Sequence, residues 1–139
     1  MKIPTGTSKE AIERRKEIIR SGLAKLKGKT VKCPCLGNMP VYIDQKSIDE
    51  ISDKAGISPA STKLALQLKR LIHEARFVRM TLPKENSTQK KKFQLIFMYE
   101  LQAETTYGEK AKITVGVLEF PLKFLQFCIT ASEQKTDKD

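Results

Sequence analysis

Glu100, Lys112, Arg79 and His73 are the residues of this 139-residue chain whose types and spacing could do chemistry. The first three fall on segments whose polarity alternates, together with Gln102 and Thr114, so they share one face of a sheet. A carboxylate beside an ammonium and a guanidinium suits metal-independent cleavage of RNA. The carboxylate takes the 2′-OH proton, and the cations stabilise the charged phosphorane. His73, the chain's single histidine, is the side chain that titrates near neutrality and is the general acid by type. A plainer account fits the same residues, because alternating strands put polar side chains on a solvated face. A histidine near a helix end is also often a cap or a bystander.

Other chemistries lack parts. The sequence has no nucleophile motif and no phosphate-binding glycine loop. Cys33 and Cys35 flank a proline in CPC, and Cys128 is distant. A zinc site takes four Cys or His ligands in two close pairs, and the second pair is missing. No metal and no cofactor is expected. An odd number of cysteines, three, fits reduced thiols better than a disulfide framework. The roles of Cys33, Cys35 and Cys128 stay open.

Charge points to a partner. Residues 1–32 hold ten Lys/Arg against three acids, and residues 33–92 hold eleven against six. Residues 93–131 hold three against four, so the net charge of +10 lies in the amino-terminal two thirds. That pattern fits a polyanion, nucleic acid first, with Lys63, Lys69, Arg70 and Arg76 as the phosphate-binding candidates. A solvated basic surface is the alternative. The opening MKIPTGTSKE has no apolar signal core, and no apolar run approaches the ~20 residues of a membrane span. A cytoplasmic protein without membrane contact is expected.

The elements that must position these residues follow from pattern. Thr7 and Glu10 form a T-x-x-E capping box before a basic amphipathic helix over 9–29, with Ile12, Ile19, Leu23 and Leu26 on one face. This helix packs on the core, or binds a partner chain or a second copy. Residues 29–43 read as two short strands around a GNMP turn. Ser47 and Glu50 form a second capping box for a helix over 47–55, ended by Gly56 with a hydrophobic contact from Ile57. Ser58 and Pro59 open a long helix over 58–76, whose Leu64, Leu68, Leu71, Ile72 and Ala75 form the core stripe.

After it comes a strand over 77–82, with Val78, Met80 and Leu82 facing one way and Phe77, Arg79 and Thr81 the other. A polar loop over 84–92 leads to the strongest strand, 93–103. A turn over 105–109 returns the chain as a partner strand over 110–120. Residues 121–129 fit a strand or a short helix, and residues 132–139 form a disordered tail. The fold class is α+β. It would be an antiparallel sheet of about four to five strands with two or three helices packed mainly on one face. The domain core spans 30–131, with the helix over 1–29 outside it.

Three words of this sequence resemble a known family: SIDEI, SPASTKLALQLKRLIHEA and ITVGV. Over about residues 30–120 they are similar to domains of phage and conjugative-element polyvalent proteins with the barnase–EndoU–colicin–RelE-like nuclease fold. The resemblance implies helices on a four- to five-stranded antiparallel sheet, and RNA or nucleic-acid cleavage in active members. Related domains carry a histidine near the junction of the two helices. Here that zone reads Lys54 and Ser61-Thr62-Lys63. The expected function is a nucleic-acid-associated domain, RNA ahead of DNA, in one form an atypical or degenerate metal-independent endoribonuclease. The alternative is a non-catalytic module that binds protein, RNA or DNA.

Overall fold

A computed structural model describes residues 2–82, 95–105, 110–118 and 123–131. The first helix, α1, runs Lys9–Leu23 and tightens into a 3-10 turn over Ala24–Leu26. Its cap is Ser8, whose hydroxyl accepts from the Ala11 N–H at 3.1 Å, so the expected Thr7 box starts one residue early. The buried stripe is Ala11, Arg15, Ile19 and Leu23, at every fourth position of the helix. Ile19 and Leu23 belong to the same core as the sheet residues. The helix is therefore part of the main body, and its apolar face is already covered.

Strands β1 (Lys29–Cys33) and β2 (Met39–Ile43) form an antiparallel hairpin. Its turn is a 3-10 turn over Pro34–Leu36 followed by Gly37 and Asn38 at φ 71° and 62°. Helix α2 (Gln45–Ala55) starts earlier than expected, because Asp44 and Ser47 make the reciprocal capping box. Asp44 Oδ1 accepts from the Ser47 N–H at 3.0 Å, and the Ser47 hydroxyl accepts from the Asp44 N–H at 3.2 Å. Gly56 follows in right-handed geometry, and Ile57 is 58% exposed, so the expected hydrophobic C-cap contact is not made.

The helix expected over 58–76 is two helices, α3 (Pro59–Ala65) and α4 (Leu68–Glu74). Ser58 caps α3 as expected, accepting from the Ser61 N–H at 3.1 Å. Gln67 leaves helical geometry, and its N–H bonds three residues back to the Leu64 carbonyl at 2.9 Å. The break lays Leu66 against α1, where a β-carbon on Gly22 would come within 2.5 Å of Leu66 Cδ2. The apolar stripe survives the break. Leu64, Leu68, Leu71 and Ile72 are all buried.

Four longer strands complete the sheet: β3 (Arg76–Thr81), β4 (Leu95–Glu104), β5 (Lys110–Leu118) and β6 (Lys123–Ala131). The described strands join in the order β1-β2-β6-β5-β4-β3. The β3–β6 block is antiparallel, and a short parallel pairing of Val41 and Tyr42 with Phe124 and Leu125 links it to the hairpin. The α+β class stands, with a larger sheet than the four to five strands expected and one parallel junction in it. Residues 123–131 resolve the strand-or-helix alternative in favour of strand. The expected loop over 84–92, the tip of the turn over 105–109 and the tail over 132–139 lie outside the described residues. One side of the sheet carries Leu101, Ala103, Ala111, Ile113, Val115 and Ile129, in one core with Ile51, Leu64, Leu68, Leu71 and Ile72 of the helices.

Candidate nucleic-acid interface

The other side of the sheet holds the polar set, and a bulge in β3 completes it. Arg76 pairs with Gln102 and Phe77 with Leu101, but Arg79, two residues on, pairs with Glu100. Val78 is the extra residue. Facing therefore differs from strict alternation: Phe77 and Met80 share the core side, while Arg76, Arg79 and Thr81 share the opposite one. Phe77 meets the Tyr99 ring edge-on, with centroids 5.8 Å apart. Both Phe77 and Met80 remain half exposed at this edge of the sheet.

Two cross-strand rows result. One is Arg76, Gln102 and Lys112, and the next is Arg79, Glu100 and Thr114. With strands about 4.8 Å apart, each row spans ~10 Å. Glu104 and Lys110 make a further opposed pair on the same side. Among the described residues of β3 to β5 this side carries four cations and two carboxylates: Arg76, Arg79, Lys110 and Lys112 against Glu100 and Glu104.

Arg79 Nε lies 3.5 Å from Glu100 Oε1, with the arginine side chain 63% exposed and the carboxylate 23%. Such a pair contributes little to stability, since water screens it and ordering two side chains costs entropy. It leaves the guanidinium's outer N–H groups open to an anion. Arg76 lies in a polar recess of about 270 Å³ beside Glu74, Gln102 and Glu104. Those two carboxylates dilute the positive field at that end, so the cationic centre of the face is Arg79 with Lys112.

Compared with known proteins, the chain matches no family model, no curated protein and no solved structure. The site therefore stands on its own geometry.

The remaining expected residues go elsewhere. His73 is exposed on α4, on the helical side, whereas Glu100 sits opposite its core-facing neighbour Leu101. The structure does not bring His73 to the Glu100 carboxylate, so the general acid expected from residue type is not in place. His73 instead lines a groove with Lys69 and Arg70. Arg70 is held by Gln67 Oε1 and lies 3.9 Å from Glu74. Lys63 is exposed on α3, apart from both groups. Arg76 belongs to the sheet and not to the helix.

Cys33 is buried and Cys35 half-buried, with their sulfurs 3.6 Å apart and both thiols free. Burial pushes the Cys33 thiol up to about 12, and the neighbouring Cys35 adds to the shift. This makes Cys33 a poor nucleophile at neutral pH. Among the described residues no group of three or more His, Cys, Asp or Glu side chains converges as metal ligands would. No helix among them is long and apolar enough to cross a membrane.

Sequence reasoning missed Arg15. It is fully buried in α1, with Nε donating to the Gly56 carbonyl at 2.8 Å, Nη1 to Pro4 at 2.9 Å and Nη2 to Ile57 at 3.0 Å. The signal was present: Arg15 lies midway between Ala11 and Ile19, on the apolar stripe itself.

Proposed function

We propose that this chain is a nucleic-acid-binding α+β domain that engages RNA, ahead of DNA, across the exposed side of β3, β4 and β5. The observation behind this reading is the β3 bulge, which puts Arg76 and Arg79 beside Gln102 and Glu100 and in line with Lys112 and Thr114. The Gln102 amide between Arg76 and Lys112, and the Thr114 hydroxyl at the end of the next row, can hydrogen-bond phosphate or sugar oxygens. The described part of this face has no aromatic side chain, since Phe77 and Tyr99 take the other side, so the contacts would be to backbone and not to stacked bases. The excess of basic charge in residues 1–92 adds long-range attraction.

Cleavage is the second reading, favoured by the placement of Glu100 opposite Arg79 and diagonal to Lys112. Its carboxylate would take the 2′-OH proton, O2′ would attack phosphorus, and the 5′-oxygen would leave. Arg79 and Lys112 would stabilise the added phosphorane charge. The resemblance of SIDEI, SPASTKLALQLKRLIHEA and ITVGV to domains with the barnase–EndoU–colicin–RelE-like nuclease fold is in line with this reading. The separation of His73 from Glu100 weighs against an efficient enzyme, because the leaving oxygen lacks a histidine donor. A partner-binding role for α1 is the least supported reading, since its apolar face is buried in the chain's own core.

The test uses purified protein and a single-stranded RNA in metal-free buffer. Binding should fall at least about tenfold in an Arg79→Ala, Lys112→Ala double variant, the scale of two phosphate contacts. Unchanged affinity would refute the interface. If the RNA is cut, Glu100→Gln should stop cleavage while binding persists; unchanged cleavage in that variant would dismiss Glu100 as the base.

A further inference from the structure

A cavity separate from the β3–β5 face lies where the end of α1, strand β1 and the break between α3 and α4 meet. Its volume is about 690 Å³, within the ~300–1,000 Å³ typical of small-molecule sites. Leu23, Leu26, Val31, Leu66 and Leu68 form its aliphatic walls. The wall is tight at Gly22, where a β-carbon would come within 2.5 Å of Leu66 Cδ2.

Its rim is cationic. Lys25, Lys32 and Lys69 stand around the opening with Arg70 and His73, and no acidic residue lines it. On the outer side of α1, Arg14, Lys16 and Arg20 each face a carboxylate within 4 Å. Around the groove, Lys25, Lys32 and Lys69 face none among the described residues. An aliphatic floor under unpaired ammonium groups complements a ligand with the opposite arrangement.

We propose that this groove binds a small amphiphilic anion, an unbranched aliphatic chain ending in a carboxylate or phosphate. The chain would lie on the leucines and valine, gaining the free energy of apolar burial. The head group would meet Lys32 and Lys69 at the rim. Nucleic acid fits this site poorly, because the one aromatic ring lining it is the His73 imidazole, and the aliphatic walls give successive bases nothing to stack on. An acidic peptide helix would satisfy the charge but leave much of the aliphatic groove unfilled.

The probe is decanoate below its micelle concentration, followed by calorimetry and by NMR of methyl groups. Saturable binding of one decanoate per chain is expected, with shifts centred on Leu23, Leu26, Val31, Leu66 and Leu68. Decanol should bind more weakly and butyrate not detectably. Lys32 and Lys69 are exposed, so K32E/K69E should keep the fold and weaken binding roughly tenfold or more. Leu26→Trp should block the chain while leaving the rim charge intact. Vesicles containing phosphatidylglycerol separate two sources of the same chemistry. Capture that K32E/K69E abolishes identifies a membrane lipid as the ligand, and decanoate binding without capture identifies a free amphiphile. Weak shifts scattered over the surface, equal affinity in K32E/K69E, or binding of an acidic amphipathic peptide in place of decanoate would each overturn the proposal.

Discussion

Arg15 and Arg79 show how one residue type serves two ends in the same chain. Arg15 has no exposed surface, and its guanidinium donates to three backbone carbonyls from the amino-terminal segment and the α2–α3 turn. Arg79 is mostly in water and has one loosely placed carboxylate partner. A buried cation whose donors reach backbone carbonyls holds the fold together. A cation with spare donors at the surface is available to a ligand. Burial and partners decide the role, and the residue name does not.

The contrast can be broken most forcefully at Arg15. Arg15→Met keeps an apolar stem but removes the guanidinium, leaving one buried and two part-buried carbonyls without its donors. Unfolding by denaturant should show a loss of about 3 kcal/mol or more, on the scale of buried acceptors left unpaired. A loss below about 1 kcal/mol would show that water replaces the guanidinium and that the clamp is weak.

Gly56→Ala comes next. A β-carbon there would lie 2.7 Å from the Ser52 carbonyl oxygen and from Lys16 Cγ, and 3.3 Å from the Lys16 backbone nitrogen. Lys16 Cγ can swing away, but the backbone atoms cannot move without shifting α1 against α2. The expected destabilisation is about 2 kcal/mol, typical of overpacking, again read from denaturant midpoints. It should not add fully to Arg15→Met, since both loosen the same turn.

At the other pole, the Arg79→Ala, Lys112→Ala variant should unfold within about 0.5 kcal/mol of the parent, as exposed substitutions do. A larger loss would make Arg79 structural and remove the contrast. Glu10→Gln, which breaks the exposed 3.6 Å pair with Arg14, should change stability by less than about 0.5 kcal/mol.

The two neighbouring thiols repeat the comparison. Cys33 is shielded and its thiol raised, whereas Cys35 reaches solvent. Alkylation at pH 8 followed by peptide mass mapping should label Cys35 well before Cys33. The linkage has a definite sign. A thiol moved from 9.0 to about 12 holds its proton in the folded state after the unfolded chain has lost it. Its contribution is therefore complete below about pH 9 and lost as pH climbs towards 12. Equal labelling of both cysteines in the folded protein would contradict the burial of Cys33.

Much of this architecture could be read in the sequence, and the exceptions are physical. The leucine stripe from Leu64 to Ile72 gave the core face, because burial follows helical spacing even where the helix breaks. The break itself depends on Leu66 meeting Gly22, a contact between residues 44 positions apart, which local pattern cannot carry. Alternation located Glu100, Gln102, Lys112 and Thr114 on one face, and the hairpin register bears that out. The Val78 bulge was hidden, since two-residue alternation has no term for an inserted residue. It moved Phe77 to the core side and brought Arg76 into the polar row. Residue type alone points to His73 as an acid, and type says nothing about which side of a sheet a helix covers.

The central claim is that the exposed side of β3 to β5 contacts phosphate. Its most direct test is the salt dependence of affinity for a single-stranded RNA, measured for the parent and for an Arg76→Ala, Arg79→Ala, Lys112→Ala variant. Each phosphate contact should contribute about 0.7 to the slope of log affinity against log salt. The variant should therefore bind more weakly with a slope shallower by roughly two units. A parent that binds no RNA at low salt, or a variant with the parent's slope, would contradict it.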